Sequence, residues 1–104
     1  MANNIFEQFD EAYSRWFILD KVGKEMQLES LWQRTVAAYK YLFQVYRERG
    51  YLTPGEANYA NQISQMLMAI HNQKMKVDQE LSGEMMKHLV KMIVKQKKIA
   101  IQKF

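Results

Sequence analysis

Residues 50–56, Gly-Tyr-Leu-Thr-Pro-Gly-Glu, decide the fold because they end one helix and begin the next. Gly50 tolerates the left-handed conformation that commonly follows the last turn of a helix. Thr53 then offers a hydroxyl for the N-cap, Pro54 fits the first helical position, and Glu56 stands where a capping box needs its second partner. The segment therefore predicts two helices joined by a short turn between the glycine and the threonine.

The two helices beside this turn carry apolar residues at alternating steps of three and four, as paired helices require. The upstream helix begins at Ser30, which forms a capping box with Gln33, or earlier, near Lys24. Its facing positions are Leu28, Leu31, Thr35, Tyr39, Leu42 and Tyr46. The downstream helix offers a second series, interrupted at Lys74: Ala60, Ile63, Leu67, Ile70, Val77 and Leu81. These series predict an antiparallel helical hairpin in the middle of the chain.

One further helix is predicted at each end of the chain. The first starts after Asn4, with Glu7 as its capping-box partner, and closes in the polar stretch 20–25. Its apolar face is Phe6, Phe9, Tyr13, Trp16 and Phe17. The last helix starts at Ser82-Gly83, or else the third helix continues through that point; serine before glycine and Glu84 favours a start.

The spacing of three and four persists throughout, and no alternation typical of a strand occurs. A chain of 104 residues is long enough for one core. We therefore predict an all-α fold with a single domain over residues 1–104. It is a single small helical bundle of about four helices, with the antiparallel hairpin in the middle and a basic amphipathic helix at the C-terminus.

The positive charge of the chain is concentrated in its last 22 residues. Residues 83–104 contain six lysines and one acid, a net charge of +5. The other residues carry nine Lys or Arg and ten Asp or Glu, a net charge of −1. A basic amphipathic helix of this kind predicts an anionic partner. At about 100° per residue, one side of the helix holds a lysine stripe, defined as Lys87, Lys91, Lys95 and Lys98.

The apolar arc of the last helix covers about two-thirds of its circumference, more than an ordinary amphipathic helix needs. The favoured interpretation is a helix wedged between two neighbours, with the lysine stripe in water. A second interpretation is that part of the arc pairs with another copy or another protein, since methionine repacks easily against different surfaces. The residues predicted to bind such a partner are Met86, Val90, Ile93 and Ile101.

The lysine stripe also supports an alternative, because neutralising phosphates releases counterions and favours nucleic-acid binding. Contacts of this kind would be to the nucleic-acid backbone and would carry little sequence specificity. The alternative set is the lysine stripe with two arginines of the second helix, Arg47 and Arg49. A position at a membrane surface for residues 83–104 ranks third, since the segment combines a basic stripe with an apolar arc.

The sequence offers no arrangement for catalysis, metal binding or a cofactor. Cysteine is absent, so disulfides and thiolate metal sites are excluded. No phosphate-binding loop and no nucleophile elbow occur. Glu84 and His88, four residues apart, are interpreted as an ordinary surface pair. We therefore expect no enzyme, no catalytic residue, no metal and no cofactor.

Residues 57–73 carry no charge but are too polar to span a bilayer, and the amino terminus lacks the basic start of a signal peptide. We therefore expect a cytoplasmic protein without integral membrane association. Its predicted function is that of a small helical protein–protein interaction module, an adaptor or inhibitor-type regulator of the kind that phages and mobile elements often encode. It is expected to self-associate through its last helix. The alternative is a backbone-led nucleic-acid-binding protein or a small subunit of a nucleoprotein complex.

Overall fold

The computed structural model describes the backbone of residues 3–102 and the side chains of residues 5–97. Within this part of the chain it contains four α-helices and no strand. The helices are α1 (Asn3–Phe17), α2 (Lys21–Arg49), α3 (Pro54–Asn72) and α4 (Gln79–Gln102). The prediction of an all-α fold of four helices is thus confirmed. The chain divides into two compact units, Met1–Lys40 and Tyr41–Phe104, with the division inside α2. The prediction of a single domain over residues 1–104 stays a prediction.

The first unit contains α1 and the N-terminal part of α2, and burial bears out part of the apolar face predicted for α1: Tyr13 is half-buried and Phe17, at 65%, is exposed. On α1 the buried side chains are Phe6, Phe9 and Trp16. On this part of α2 they are Leu28, Leu31, Thr35, Ala38 and Tyr39. The buried hydroxyl of Thr35 is satisfied because it donates to the carbonyl oxygen of Leu31 at 2.7 Å. The capping residue predicted at Asn4 lies outside the described side chains.

The start of α2 differs from the prediction, because Asp20 caps the helix before either predicted residue. The backbone N–H of Gly23 donates to the Asp20 carboxylate at 2.8 Å, and the N–H of Lys24 donates to the Asp20 carbonyl at 2.8 Å. An aspartate in this position satisfies one of the four free N–H groups of the first turn. The start at Ser30 was therefore wrong: this residue lies inside the helix, and its hydroxyl accepts a hydrogen bond from Arg34.

The corner between α1 and α2 is held together by Trp16 and Lys24. The indole N–H of Trp16 donates to the Lys24 carbonyl at 2.9 Å, and the indole ring is 1% exposed. In return the Lys24 ammonium donates to the Leu19 carbonyl at 2.6 Å and lies 5.4 Å from the centre of the indole ring. These contacts tie the last turn of α1 to the first turn of α2 and leave the corner with a fixed backbone.

The second unit begins with the end of α2 and the turn that leads into α3, and here the predicted chemistry is confirmed. Gly50 has a φ of 84°, and its N–H donates to the Tyr46 carbonyl at 2.7 Å. The Glu56 N–H donates to the Thr53 hydroxyl at 3.2 Å, while the Thr53 N–H donates to the Glu56 carboxylate at 2.8 Å. This is the predicted capping box, with Pro54 at the start of the helix.

Glu56 has a second role at this turn, since its carboxylate also pairs with the guanidinium of Arg49. Burial of the carboxyl group raises its pKa, but the hydrogen bonds from the Thr53 backbone and from Arg49 outweigh that effect. The pKa of Glu56 therefore lies below its ordinary value. The turn thus joins the end of α2 to the start of α3 through one charged group.

Helices α3 and α4 pack against each other in the second unit. The side chains buried on α3 are Ala60, Ile63, Met66, Leu67 and Ile70, which include the first four positions predicted to face α2. The predicted pairing of α2 with α3 joins residues of both units and stays a prediction.

The break between α3 and α4 lies about ten residues before the predicted one at Ser82-Gly83. Helix α3 ends at Asn72, and Lys74 takes a left-handed conformation with a φ of 55°. The N–H of Met75 donates to the Ile70 carbonyl and that of Lys74 to the His71 carbonyl, both at 3.0 Å. This is the pair of hydrogen bonds of a Schellman C-cap, and it ends the helix before Val77 and Leu81 can continue its seam.

Helix α4 then starts after Asp78 rather than at Ser82. The Asp78 carboxylate accepts a hydrogen bond from the Leu81 N–H at 3.1 Å, and its carbonyl accepts one from the Ser82 N–H at 2.9 Å. Ser82 and Gly83 therefore lie inside the helix, so the predicted boundary there was wrong. An aspartate at the N-cap takes the position that serine was expected to fill.

Candidate partner-binding surface on α4

The two faces of α4 are set by the helical period. Met85, Leu89 and Met92 recur at steps of four and three, and each is at most 1% exposed. They form the side of α4 that is packed in the second unit. Of the seven described residues of the predicted apolar arc, these three are core, Met86 and Ile93 are half-buried, and Val90 and Val94 are exposed. The interpretation of a helix wedged between two neighbours stays a prediction.

A second apolar row remains accessible on α4, and we call it the α4 strip: Met86, Val90 and Val94. These residues are four apart, so they lie one above another along the helix. Val90 is 48% exposed and Val94 45%, whereas Met86 is half-buried. Of the other residues predicted to bind a partner, Ile93 is half-buried and the side chain of Ile101 lies outside the described part of the chain.

Two depressions follow the α4 strip. One, of about 310 Å³, lies between the end of α3 and the start of α4 and has Leu67, Met68, Gly83 and Met86 among its lining residues. The other, of about 380 Å³, is formed by Val90, Val94 and the stems of Lys91 and Lys95. Met68 is 56% exposed, so α3 adds a large apolar side chain beside the strip. Together these residues form an elongated apolar surface along the second unit.

The basic residues predicted for this helix border the strip. Lys87, Lys91 and Lys95 are exposed on α4, whereas the side chain of Lys98 lies outside the described part. Lys87 lies beside Val90, and Lys91 beside Val94, because residues three positions apart differ by only about 60° around a helix. The surface therefore combines an apolar row with positive charge along one edge.

The two predicted arginines are placed differently. Arg47 is exposed and its guanidinium lies 5.8 Å from the centre of the Phe43 ring. Arg49 is engaged by the Glu56 carboxylate and also lies 4.6 Å from the centre of the Tyr51 ring. A guanidinium that already pairs with a carboxylate offers less to a phosphate than a free one does.

Aromatic contacts join the end of α2 to α4. The rings of Phe43 and His88 stack with centres 4.4 Å apart, and the Lys95 ammonium lies 5.3 Å from the centre of the Tyr46 ring. Tyr46 is half-buried. His88 is half-buried, and its imidazole stacks on the Phe43 ring. Its predicted pairing with Glu84 stays a prediction. Among the described residues no group of three His, Asp or Glu side chains could hold a metal ion.

A depression in the first unit has a volume of about 460 Å³ and lies between α1 and α2. Charged residues on its wall bond within their own helices: Arg15 pairs with Glu11 at 2.6 Å, and Arg34 donates to the Ser30 carbonyl at 3.1 Å. These charged side chains are thus engaged by neighbours four residues away on the same helix.

Sequence reasoning missed a second exposed surface, which we call the corner patch: Phe17, Ile18, Val22 and Met26. Their exposed fractions are 65%, 82%, 65% and 75%. A signal for it exists in the sequence. At about 100° per residue, Val22 and Met26 lie on the side of α2 opposite the buried Leu31, so they cannot share its core face. Phe17 was instead assigned to the apolar face of the first helix.

Comparison with known proteins adds no family to this description: the chain matches no protein-family model, and neither a curated protein nor a solved structure is significantly similar to it. Over the described residues, every helix is too short or too polar to cross a bilayer.

Proposed function

We propose that this chain is a non-enzymatic macromolecule-binding protein of the cytoplasm, a small helical protein–protein interaction module of the adaptor or inhibitor type. The observation that carries the proposal is the α4 strip with its lysine border. Val90 and Val94 are nearly half exposed on a helix whose opposite face is fully packed. Two depressions extend along this row, and Gly83 is among the residues that line one of them.

The chemistry of the strip points to an acidic amphipathic segment as its partner. An apolar row one helix long is the surface that a second helix covers with residues spaced three and four apart. Lysines at one edge attract a partner that carries Asp or Glu beside its apolar row, and they raise its association rate. The depression beside Met68 and Met86 could take one large apolar anchor, and methionine adapts to anchors of different shape.

Selection from a random peptide library tests this proposal and does not require the natural partner to be identified. Displayed peptides of about 16 residues, enough for four helical turns, are selected on the protein and counter-selected on its Val90→Ser/Val94→Ser variant. We expect the enriched peptides to carry apolar residues at steps of three and four together with an excess of Asp and Glu. The double variant should weaken their binding at least about tenfold, a change of about 1.4 kcal/mol.

The matched control is Met26→Ser, which also removes an exposed apolar side chain but lies in the first unit. It should leave peptide affinity unchanged, and neither variant should alter the free energy of unfolding by more than about 0.5 kcal/mol, since all three side chains are exposed. Enriched peptides without an acidic bias, or with equal affinity for the Val90→Ser/Val94→Ser variant, would contradict the proposal.

Nucleic-acid binding is the second candidate, and the observation in its favour is that Lys87, Lys91 and Lys95 are exposed on one side of α4. Residues four apart rise by about 6 Å along a helix, so these ammonium groups form a regular row. Fluorescence anisotropy with labelled single-stranded RNA, single-stranded DNA and duplex DNA tests it at two salt concentrations. If phosphates bind the row, changing the three lysines to glutamine should lower the salt slope by about 2 to 3.

The two candidates respond differently to the same substitutions. Val90→Ser/Val94→Ser retains every charge, so it should abolish peptide binding and leave any nucleic-acid affinity intact. Absence of nucleic-acid binding at low salt would eliminate the second candidate, because backbone contacts are strongest under that condition.

A further inference from the structure

The corner patch is a larger apolar surface than the α4 strip, and the contacts described for α1 and α2 leave it uncovered. Four large apolar side chains within ten residues are each 65% exposed or more. Single exposed apolar residues are common on proteins, but several large ones close together in the chain, on one helix corner, are typical of an interaction site. Val22 and Met26 share one side of α2 because they are four residues apart.

The backbone beneath this patch is held in one arrangement. Trp16 donates to the Lys24 carbonyl, Lys24 donates to the Leu19 carbonyl, and Asp20 caps the following helix. A Cβ atom on Gly23 would stand 3.2 Å from both the Asp20 carboxylate and the Leu19 Cβ, so the corner is closely packed on its inner side. A partner therefore meets a preformed surface and loses little conformational entropy in ordering it.

The area of the patch fits one side of a standard protein interface. From their exposed fractions, the four side chains present about 500 Å² of apolar surface, in the upper part of the range for the largest patch on a monomer. One side of a standard interface measures about 800 Å², of which a little over half is apolar. The patch with a polar rim thus supplies the area that a specific dimer requires.

The charges around the patch favour an identical partner. Residues 11–29 contain four acidic and three basic residues, a net charge of −1, and Lys21 and Glu25 are both exposed beside the patch. In a two-fold dimer, one surface meets itself, so a rim of both signs can pair with its own copy. The α4 strip lacks this property because its lysine border would meet a second lysine border.

We propose that the corner patch is the surface through which two copies of this chain associate. The interface is isologous: Phe17, Ile18, Val22 and Met26 of each copy face those of the other. Basic and acidic residues at the rim then lie opposite each other between the copies. This association is independent of the partner proposed for α4.

Sedimentation equilibrium of the full chain over a wide concentration range tests the proposal. We expect a reversible monomer–dimer equilibrium, and we expect Val22→Ser/Met26→Ser to raise the dimer dissociation constant at least tenfold. The matched control, Met68→Ser/Val94→Ser, removes a methionine and a valine of the other surface and should leave the equilibrium unchanged. A protein that stays monomeric up to about 1 mM, where specific association has faded, would overturn the proposal, as would a loss of dimer in the control variant alone.

A charge exchange identifies the partner as a second copy. Lys21→Glu makes the rim more negative and Glu25→Lys makes it more positive, so each variant alone should dimerise less well than the unsubstituted protein. An equimolar mixture of the two should regain association, because their rims then carry opposite charge. Failure of the mixture to exceed the separate variants would contradict a face-to-face contact of the two copies. Peptide binding by the α4 strip, measured on the same variants, should remain unchanged in every case.

Discussion

Two connections of the chain, α1 to α2 and α3 to α4, use similar N-caps. They differ in their apolar residues, which are exposed at the first connection and buried at the second. In both, an aspartate stands before the next helix, and its carboxylate accepts a hydrogen bond from the N–H three positions further on, at 2.8 Å for Asp20 and at 3.1 Å for Asp78. The second connection folds Met75 inward until it is 5% exposed. The first leaves Ile18 82% exposed.

Because both connections have an aspartate N-cap, this difference shows that the N-cap alone does not cause the exposure of Ile18 at the first corner. A Schellman C-cap places the residue after its left-handed position against the end of the helix, which is how Met75 becomes buried near Ile70. The first corner has no left-handed residue among those described, and it is closed by the Trp16 side chain instead. An indole used as the inner clamp leaves the neighbouring apolar side chains outside, where another chain can reach them.

The largest change in the free energy of unfolding is expected when the Trp16 side chain, which closes the first corner, is removed. Trp16→Ala should lower the free energy of unfolding by about 3–5 kcal/mol, because it leaves a large cavity and removes the hydrogen bond from the indole to the Lys24 carbonyl. Met75→Ala at the second connection should cost less, about 2–3 kcal/mol. Urea denaturation followed by circular dichroism measures both.

Trp16→Phe separates the two contributions at the first corner. It keeps an aromatic ring but removes the hydrogen bond to Lys24, so we expect a loss of about 1–2 kcal/mol. If Trp16→Ala proved no more costly than Met75→Ala, the first corner would not depend on its clamp and the comparison would fail.

The sequence predicts correctly those caps and turns that are formed by the residue types most common in such positions. Thr53, Pro54 and Glu56 form the expected capping box, and Gly50 takes the expected left-handed conformation. The connection at residues 73–78 escaped prediction because Lys74 occupies a position where glycine is the common residue. The apolar residues on either side of Lys74 have the spacing of one continuous helix. The helix boundary was therefore predicted at the next serine and glycine, Ser82-Gly83.

The candidate surfaces likewise divide into features that the helical period predicts and features that depend on how the helices pack. The lysine stripe and the α4 strip follow from the helical period alone, and the exposed Lys87, Lys91, Val90 and Val94 agree with it. How much of the apolar arc is core depends on which neighbours pack against it, which no single helix can reveal. The same period also predicts the corner patch, but only in a helix that includes Val22, and α2 was predicted to start at Ser30 or near Lys24 rather than at Lys21.

The next effect in size tests whether the two aspartates are equivalent caps. Asp20→Ala and Asp78→Ala should each lower the free energy of unfolding by about 1 kcal/mol, because each leaves an N–H of the first turn without its partner. Ser82→Ala is the control within α4, and it should change stability by less than about 0.5 kcal/mol. A larger loss for Ser82→Ala than for Asp78→Ala, again by urea denaturation, would place the start of α4 where the sequence alone suggested.

The smallest expected effect concerns the left-handed residue that only the second connection uses. A side chain in this conformation costs about 1–2 kcal/mol. Lys74→Gly should remove that strain, and after the entropy that glycine adds to the unfolded chain it should raise stability by about 0.5–1 kcal/mol. Lys74→Ala keeps a Cβ atom and should bring no gain.

Gly50→Ala is the mirror experiment, because it introduces a Cβ atom at a φ of 84° although nothing lies within 4 Å of its position. It should cost about 1 kcal/mol through backbone strain alone. Opposite signs for Lys74→Gly and Gly50→Ala would show that both positions depend on the left-handed conformation. A loss of stability in Lys74→Gly would mean that the lysine side chain stabilises the second connection by more than its backbone strain costs, and the two connections would then differ in their caps as well as in their apolar residues.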